Sequence, residues 1–190
     1  MTAAGQPGKI YKASMKKKFN KKQIYKKAAK IKLVIADVDG VLTDTGVYYS
    51  TKGEELKRFS IRDGMGVERL RTLVDVETGI MTRENTDIVR SRAEKLKITE
   101  LHLGVLKKEA ALDEILVRKN LKEEEVAYMG DDTIDVEIMK RVGLSSCPSD
   151  ATKFAKDAAD IIVESKGGNG ALRDLAEIII DAKIKKQKGK

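Results

Sequence analysis

Asp37 and Asp39 stand one residue apart at the end of the apolar run Ile31-Lys-Leu-Val-Ile-Ala, with Gly40 directly behind them. Val and Ile on such a run favour a buried strand, and side chains two apart on an extended backbone share a face. In open α/β sheets, ligands gather beyond the carboxyl ends of the strands. Two carboxylates placed there can hold a divalent cation, attack an electrophile or move a proton. A second acidic cluster follows a second strand-like run, in Val126-Ala-Tyr-Met-Gly130-Asp131-Asp132-Thr-Ile-Asp135. Between the two clusters lie Thr82, closing Gly79-Ile-Met81, and Lys108, in Leu106-Lys-Lys-Glu-Ala.

Taken in order, Asp-x-Asp-Gly, Thr, Lys and Gly-Asp-Asp-x-x-Asp resemble the four motifs of the haloacid dehalogenase superfamily, whose commonest members are phosphatases. Charge alone accounts for much of that constellation. A phosphate monoester is a dianion that carboxylates repel, so a carboxylate nucleophile needs a cation beside it. Mg²⁺ would supply it, held by one or two carboxylates plus waters and phosphate. Asp37 and Asp131 are the natural side-chain ligands, and the resemblance adds the backbone carbonyl of Asp39. Asp37 would attack phosphorus to give an aspartyl-phosphate. Asp39 would protonate the leaving alkoxide and then deprotonate the hydrolysing water. Lys108 and the Thr82 hydroxyl would hold the phosphoryl oxygens, while Asp132 and Asp135 orient Lys108 and the waters of the metal.

Taken singly, the pieces have plainer readings. Asp-x-Asp-Gly occurs in calcium loops, but an EF-hand needs further ligands and a terminal Glu, and it follows a helix rather than a strand. Asp131, Asp132 or Thr133 could cap a helix starting near Ile134. Thr82 could be a turn residue and Lys108 a solvated charge. A response-regulator receiver also uses Asp, Thr and Lys, but its phosphorylated Asp sits on a later strand. Four motifs in order favour the phosphatase over the plain readings.

The net charge of +8 belongs to the ends of the chain. Residues 1–32 hold eleven lysines and no acid, and residues 183–190 hold five more and no acid. Without these the body has 22 basic against 30 acidic side chains, a net of −8. The tails are read as solvated, so neither nucleic-acid nor membrane contact is expected. Cys147 is the only cysteine, which excludes an intrachain disulfide. With no apolar signal core and no run of about 18 apolar residues, a cytoplasmic enzyme is expected. The sole histidine, His102, is read as structural.

Around the motifs the pattern alternates strand and helix. After the first strand, Val41–Tyr49 and Glu55–Phe59 flank Ser50-Thr-Lys-Gly53 and read as a β-hairpin. Helices are expected over about Met65–Val74 (apolar stripe Met65, Leu70, Leu73, Val74), from an Asn85 cap to Leu96, and over Lys108–Lys119, Ile134–Val142, Asp150–Ala158 and Gly170–Lys185. Ile24–Ile31 could form a further short one. Strands are expected near Gly79–Thr82, Glu100–Leu103, Val126–Met129, Leu144–Cys147 and Ile161–Val163. The fold class is therefore α/β, a Rossmann-like doubly wound parallel sheet with a β-hairpin flap and no cap domain. It should divide into a basic N-terminal extension (1–30), the phosphatase domain (31–182) and a basic tail (183–190).

Neither the Asp37–Thr82 gap nor the Thr82–Lys108 gap has room for a cap domain, yet a small-molecule phosphatase must exclude water. Either the substrate is large or a neighbouring subunit supplies the lid. Gly40-Val-Leu-Thr-Asp44, Phe59-Ser-Ile-Arg62-Asp63-Gly64-Met-Gly66, Gly130-Asp-Asp-x-x-Asp135, Arg141-Val-Gly-Leu144 and Gly167-Gly-Asn-Gly170-Ala-Leu-Arg173 resemble the capless 3-deoxy-manno-octulosonate (KDO) 8-phosphate phosphatases. The resemblance spans about Ile31 to Ile180. It implies a homotetramer whose hairpins build a central barrel, with a neighbour's C-terminal segment, here Gly167–Arg173, closing each shared active site. It also implies that Ser60, Ile61, Arg62, Asp63, Gly64, Arg92 and Lys108 bind the sugar acid or its phosphate, in lipopolysaccharide biosynthesis or a related pathway.

One departure is informative. Motif II of those enzymes usually reads Thr-Gly-Arg, and here it is Thr82-Arg83-Glu84. Glu84, Arg92 and Lys95 instead resemble the branch acting on KDN and N-acylneuraminate (sialic acid) 9-phosphates. Arg92 and Lys95, three apart on one helix face, could meet a carboxylate together; a surface helix rich in charge pairs is the plainer reading. Arg62-Asp63-Gly64 keeps the octulosonate form. A further alternative is a non-catalytic tetramerisation module of the kind associated with sugar-acid cytidylyltransferases, although such decay normally removes the acids first.

Overall fold

Leu33–Ala36 forms β1, four buried residues whose alternate side chains enter different core layers. Leu33 and Ile35 pack into one apolar cluster, Val34 and Ala36 into the other. A strand covered on both faces has no polar side, which is why its sequence is a continuous apolar run. The computed structural model describes residues 19–188. The expectations for residues 1–18 and 189–190 lie outside the described residues.

Parallel neighbours hold β1 on both sides: β4 (Glu77–Met81) on one edge and β6 (Val126–Met129) on the other. β5 (Glu100–His102) lies outside β4, and β7 (Leu144–Cys147) and β8 (Ile161–Ile162) continue beyond β6, giving the order β5-β4-β1-β6-β7-β8. The chain thus runs outward from β1 to β5, returns to β6, and runs outward again. The order reverses between β1 and β6, the switch point where α/β sheets open a crevice. α1 (Lys21–Ala28), α2 (Ile61–Val74), α3 (Asp87–Leu96) and α7 (Ala171–Lys188) cover the Val34 face. α4 (Lys108–Lys119), α5 (Val136–Arg141) and α6 (Lys153–Ala158) cover the other. This is the expected doubly wound α/β sheet. β2 (Tyr48–Ser50) and β3 (Gly53–Leu56) form a separate antiparallel hairpin, shorter than the sequence pattern suggested.

Several boundaries differ for physical reasons. α2 begins at Ile61 because the Ser60 hydroxyl accepts the Arg62 amide and caps it. Its buried stripe is Val67, Leu70 and Val74, while Met65 and Leu73 are exposed. Thr86, rather than Asn85, caps α3, by accepting the Val89 amide; the Asn85 side chain accepts from Arg90 instead. Before β1, α1 packs on α7 and buries Ile24 and Ala28 in the core. α7 runs to Lys188, three residues beyond the expected end at Lys185. Asp63 lies under the start of α7, where its two oxygens accept the Gly170 and Arg173 amides at 3.1 and 3.0 Å. These two bonds tie the Gly170–Arg173 segment to α2 of its own chain.

Candidate active site

Three adjacent strands end in the motif residues. Asp37 follows β1, Thr82 follows β4 and Gly130-Asp131 follows β6, so the sheet order brings together residues far apart in sequence. The Asp37 amide extends the sheet by donating to the Met129 carbonyl at 3.0 Å. Its Oδ1 accepts the Val38 amide at 2.8 Å, and its Oδ2 lies 2.9 Å from the ammonium of Lys108. Lys108 is the first residue of α4 and its side chain is only 2 % exposed.

A buried charge needs partners on every side. The Lys108 ammonium donates to Asp135 Oδ1 at 2.6 Å and to the Tyr128 hydroxyl at 2.8 Å, and Tyr128 in turn donates to Asp135 Oδ1 at 2.7 Å. Asp135 Oδ2 accepts the amides of Asp131 and Asp132 at 2.9 and 3.2 Å. Asp135 therefore ties Lys108 to the motif IV turn. Asp132 caps that turn by accepting the Thr133 amide at 2.6 Å. The sequence reading missed Tyr128, a phenol in an otherwise apolar strand. Burial, with the negative charge of Asp135 beside it, raises its pKa and keeps it protonated.

Oxygens of Asp37, Asp131 and Asp135 lie within 4.8 Å of one another. Because Asp135 already accepts two donors on each oxygen, Asp37 and Asp131 are the two with capacity left for a cation. Burial, together with the neighbouring carboxylates, pushes Asp37 up to about 6 despite Lys108, and Asp131 up to about 7. Carboxylates crowded in this way need positive charge, and an all-oxygen donor set suits a hard divalent cation. Gly40 permits the approach. Its φ is +82°, and a Cβ there would lie 2.1 Å from Asp131 Oδ2. Only glycine combines that backbone with that contact.

A cleft of about 490 Å³ opens over these residues, lined by Asp37, Asp39, Thr82, Asp131 and Asp132 together with Thr45, Arg83, Glu84, Leu106 and Ile134. Its size suits a small molecule. The Thr82 hydroxyl accepts the Glu84 amide at 3.1 Å, which fixes the turn after β4. The Asp39 side chain stands apart from the acidic cluster: its Oδ1 is 2.5 Å from the Lys57 ammonium and 3.4 Å from the Thr43 hydroxyl. Of the specificity candidates, Glu84 lines the cleft, whereas Ser60, Ile61, Arg62, Asp63, Gly64, Arg92 and Lys95 do not. The Arg92 guanidinium lies over the Phe59 ring and donates to the Ser60 carbonyl at 2.8 Å, and Lys95 is exposed.

Residues 67–175 match the family model of the haloacid dehalogenase-like hydrolases. The chain is 40 % identical over 162 residues to the 3-deoxy-D-manno-octulosonate 8-phosphate phosphatase of Yersinia pestis, covering 85 % of this chain and 86 % of that protein. The chain belongs to this family of haloacid dehalogenase-like phosphatases. The Escherichia coli K12 phosphatase of the same name is 39 % identical over 164 residues, 86 % of this chain and 87 % of its own. A solved structure of the Moraxella catarrhalis phosphatase, in complex with magnesium, phosphate and KDO, superposes with a TM-score of 0.82 at 30 % identity, covering 88 % of this chain and 95 % of that one. The cobalt-bound Haemophilus influenzae phosphatase superposes with a TM-score of 0.80 at 36 % identity, covering 84 % and 92 %. Family membership makes the chain a phosphoric monoester hydrolase, and the cleft over Asp37 is where its family motifs converge. No helix among the described residues is long and apolar enough to cross a membrane.

Proposed function

We propose that the chain is a cytoplasmic, Mg²⁺-dependent phosphatase that hydrolyses a phosphorylated 3-deoxy-2-keto sugar acid, with KDO 8-phosphate as its substrate. The observation that carries this reading is the Asp37–Lys108–Asp135 cluster facing Asp131, in a chain about 40 % identical to KDO 8-phosphate phosphatases. Mg²⁺ held by Asp37, Asp131 and the Asp39 carbonyl would offset the charge that phosphate brings to these carboxylates. Asp37 Oδ2 is the nucleophile, and Lys108 and Thr82 hold the phosphoryl oxygens. Asp39 gives its proton to the ester oxygen as the P–O bond breaks, then takes one from the water that releases Asp37. Asp132 and Asp135 support the turn around them.

Glu84 in the cleft favours a second reading, the nine-carbon KDN or sialic acid 9-phosphates, because a carboxylate there can accept sugar hydroxyls. Ser60–Gly64, Arg92 and Lys95 lie outside the single-chain cleft, so substrate contacts from them would require the assembly. We also propose a homotetramer, supported by the exposed Val47, Tyr48, Tyr49 and Leu56 of the hairpin segment. A comparison of kcat/KM for KDO 8-phosphate, KDN 9-phosphate and N-acetylneuraminate 9-phosphate, with and without Mg²⁺, tests the substrate. A preference for KDO 8-phosphate of tenfold or more is expected, and a preference for either nine-carbon ester would replace it. Magnesium-independent turnover would overturn the metal assignment.

A further inference from the structure

Lys57 follows β3 at the foot of the hairpin. Its side chain is only 7 % exposed, although Leu56 and Arg58 on either side are open to solvent. Its ammonium lies 2.5 Å from Asp39 Oδ1 and 2.9 Å from Glu54 Oε1. A lysine is rarely buried without a structural or chemical reason, and this one spends its charge on the carboxylate that the phosphatase reading makes the acid and base.

Asp39 has a problem that Lys57 addresses. It lies two residues from Asp37, so its carboxylate begins beside one of the converging acids of the candidate cation site. Yet its oxygens are not among the three that converge within 4.8 Å. A carboxylate drawn onto a divalent cation is poorly placed to exchange protons with an ester oxygen or a water. Lys57 is a fixed, competing cation on the other side, and Thr43 adds a longer contact at 3.4 Å. We infer that Lys57 is a positioning residue for the proton-transfer steps, holding Asp39 Oδ1 in the cleft and out of the cation cluster. The ammonium itself stays protonated throughout. The proton passes from Asp39 to the ester oxygen and later from water to Asp39.

The placement also ties the hairpin to the chemistry. The hairpin shares no strand pairing with the main sheet; its base is fixed by the Thr43–Phe59 bridge and by Arg58, which donates to Asp44, the Gly168 carbonyl and Asn169. Lys57, with the longer Thr43 contact, joins that base to Asp39, so the hairpin base and the acid–base group are linked.

This inference rests on the proton-transfer role proposed for Asp39, and its test does not depend on the natural sugar acid. Lys57→Met, Lys57→Arg and Asp39→Asn are compared with wild type on p-nitrophenyl phosphate and on unsubstituted phenyl phosphate, whose leaving group is poorer and needs a proton more. Lys57→Met is expected to keep kcat/KM for p-nitrophenyl phosphate within about threefold while losing about tenfold or more on phenyl phosphate. Lys57→Arg should recover most of that loss, and Lys57→Met should show a nitrophenolate burst as hydrolysis of its phospho-enzyme slows. Binding calorimetry gives a readout apart from turnover: Mg²⁺ should bind Lys57→Met more tightly than wild type, because Asp39 can then join the cation site. Equal losses on both esters, no loss on either, or weakened Mg²⁺ binding would overturn the inference. Should Asp39→Asn lose both esters equally while Lys57→Met shows the split, the proton-transfer assignment of Asp39 fails and this inference fails with it.

Discussion

Asp37 is held by one amide and one ammonium, so Asp37→Asn keeps the shape of the site and removes the proposed nucleophile. Phosphate release should fall to a trace, with the metal-free melting temperature within a few degrees of wild type and the stabilisation by Mg²⁺ largely lost. Retained turnover would remove Asp37 from the mechanism. Tyr128→Phe should lower unfolding free energy by about 1–3 kcal/mol, because Asp135 and Lys108 lose a shared buried partner; urea denaturation measures it. The raised carboxyls give a pH dependence. In the metal-free chain, the stability contributed by Asp37 and Asp131 is complete below the ordinary carboxylate range and is lost as pH rises through about 6 and about 7. A cation needs both groups ionised and competes with those protons. Mg²⁺ should therefore raise the melting temperature more at pH 8 than at pH 5, and an equal rise at both would contradict the crowding of these carboxylates. The motif acids, Thr82 and Lys108 were legible in sequence because each follows or opens a recognisable element. Tyr128 and Lys57 were not, since a phenol in a strand and a lysine beside a hairpin look ordinary until the partners opposite them are known.

Helices and strands were read well where one face is buried and poorly where a side chain decides the end. β6 and β7 match their expected limits because uninterrupted apolar runs leave little choice of boundary. α2 misled at Met65 and Leu73, whose apolarity is turned outward rather than into the core. Nothing in the local pattern separates a core-facing methionine from one facing outward. The turn after β1 shows how strongly an element can depend on a missing atom. Gly40→Ala would force a side chain into the left-handed region and against Asp131, so a stability loss of about 1–3 kcal/mol and weaker Mg²⁺ binding are expected. Calorimetry and thermal melting check both. Normal metal affinity in that variant would show that Asp131 can retreat without consequence.

The described chain holds together around α7, which buries Leu172, Leu175, Ala176 and Ile179. Truncation before Gly167 should therefore unfold the protein rather than leave it inactive and folded. Removing 183–190 takes only the partly buried Ile184 from the core face of α7 and should leave the melting temperature within about 5 °C of wild type; a loss of kcat/KM in that still-folded form would assign the last segment to the proposed shared site. Tyr49→Asp with Leu56→Asp should convert the proposed tetramer to smaller species in light scattering without unfolding the body, because both side chains are already exposed. An unchanged mass would move the interface elsewhere.

The pairing of β1 with β6 also has a consequence in time. Asp37 leaves the ribosome about 90 residues before Asp131, so at ordinary elongation rates the proposed nucleophile waits roughly 5–20 s for the acid proposed to share its cation. Leu33 must find Val126 across that separation before both acids share one edge of the sheet. A nascent chain can thus contain every atom of the nucleophile and still have no place for a cation. A cation held by Asp37 and Asp131 would bind only once the sheet has closed.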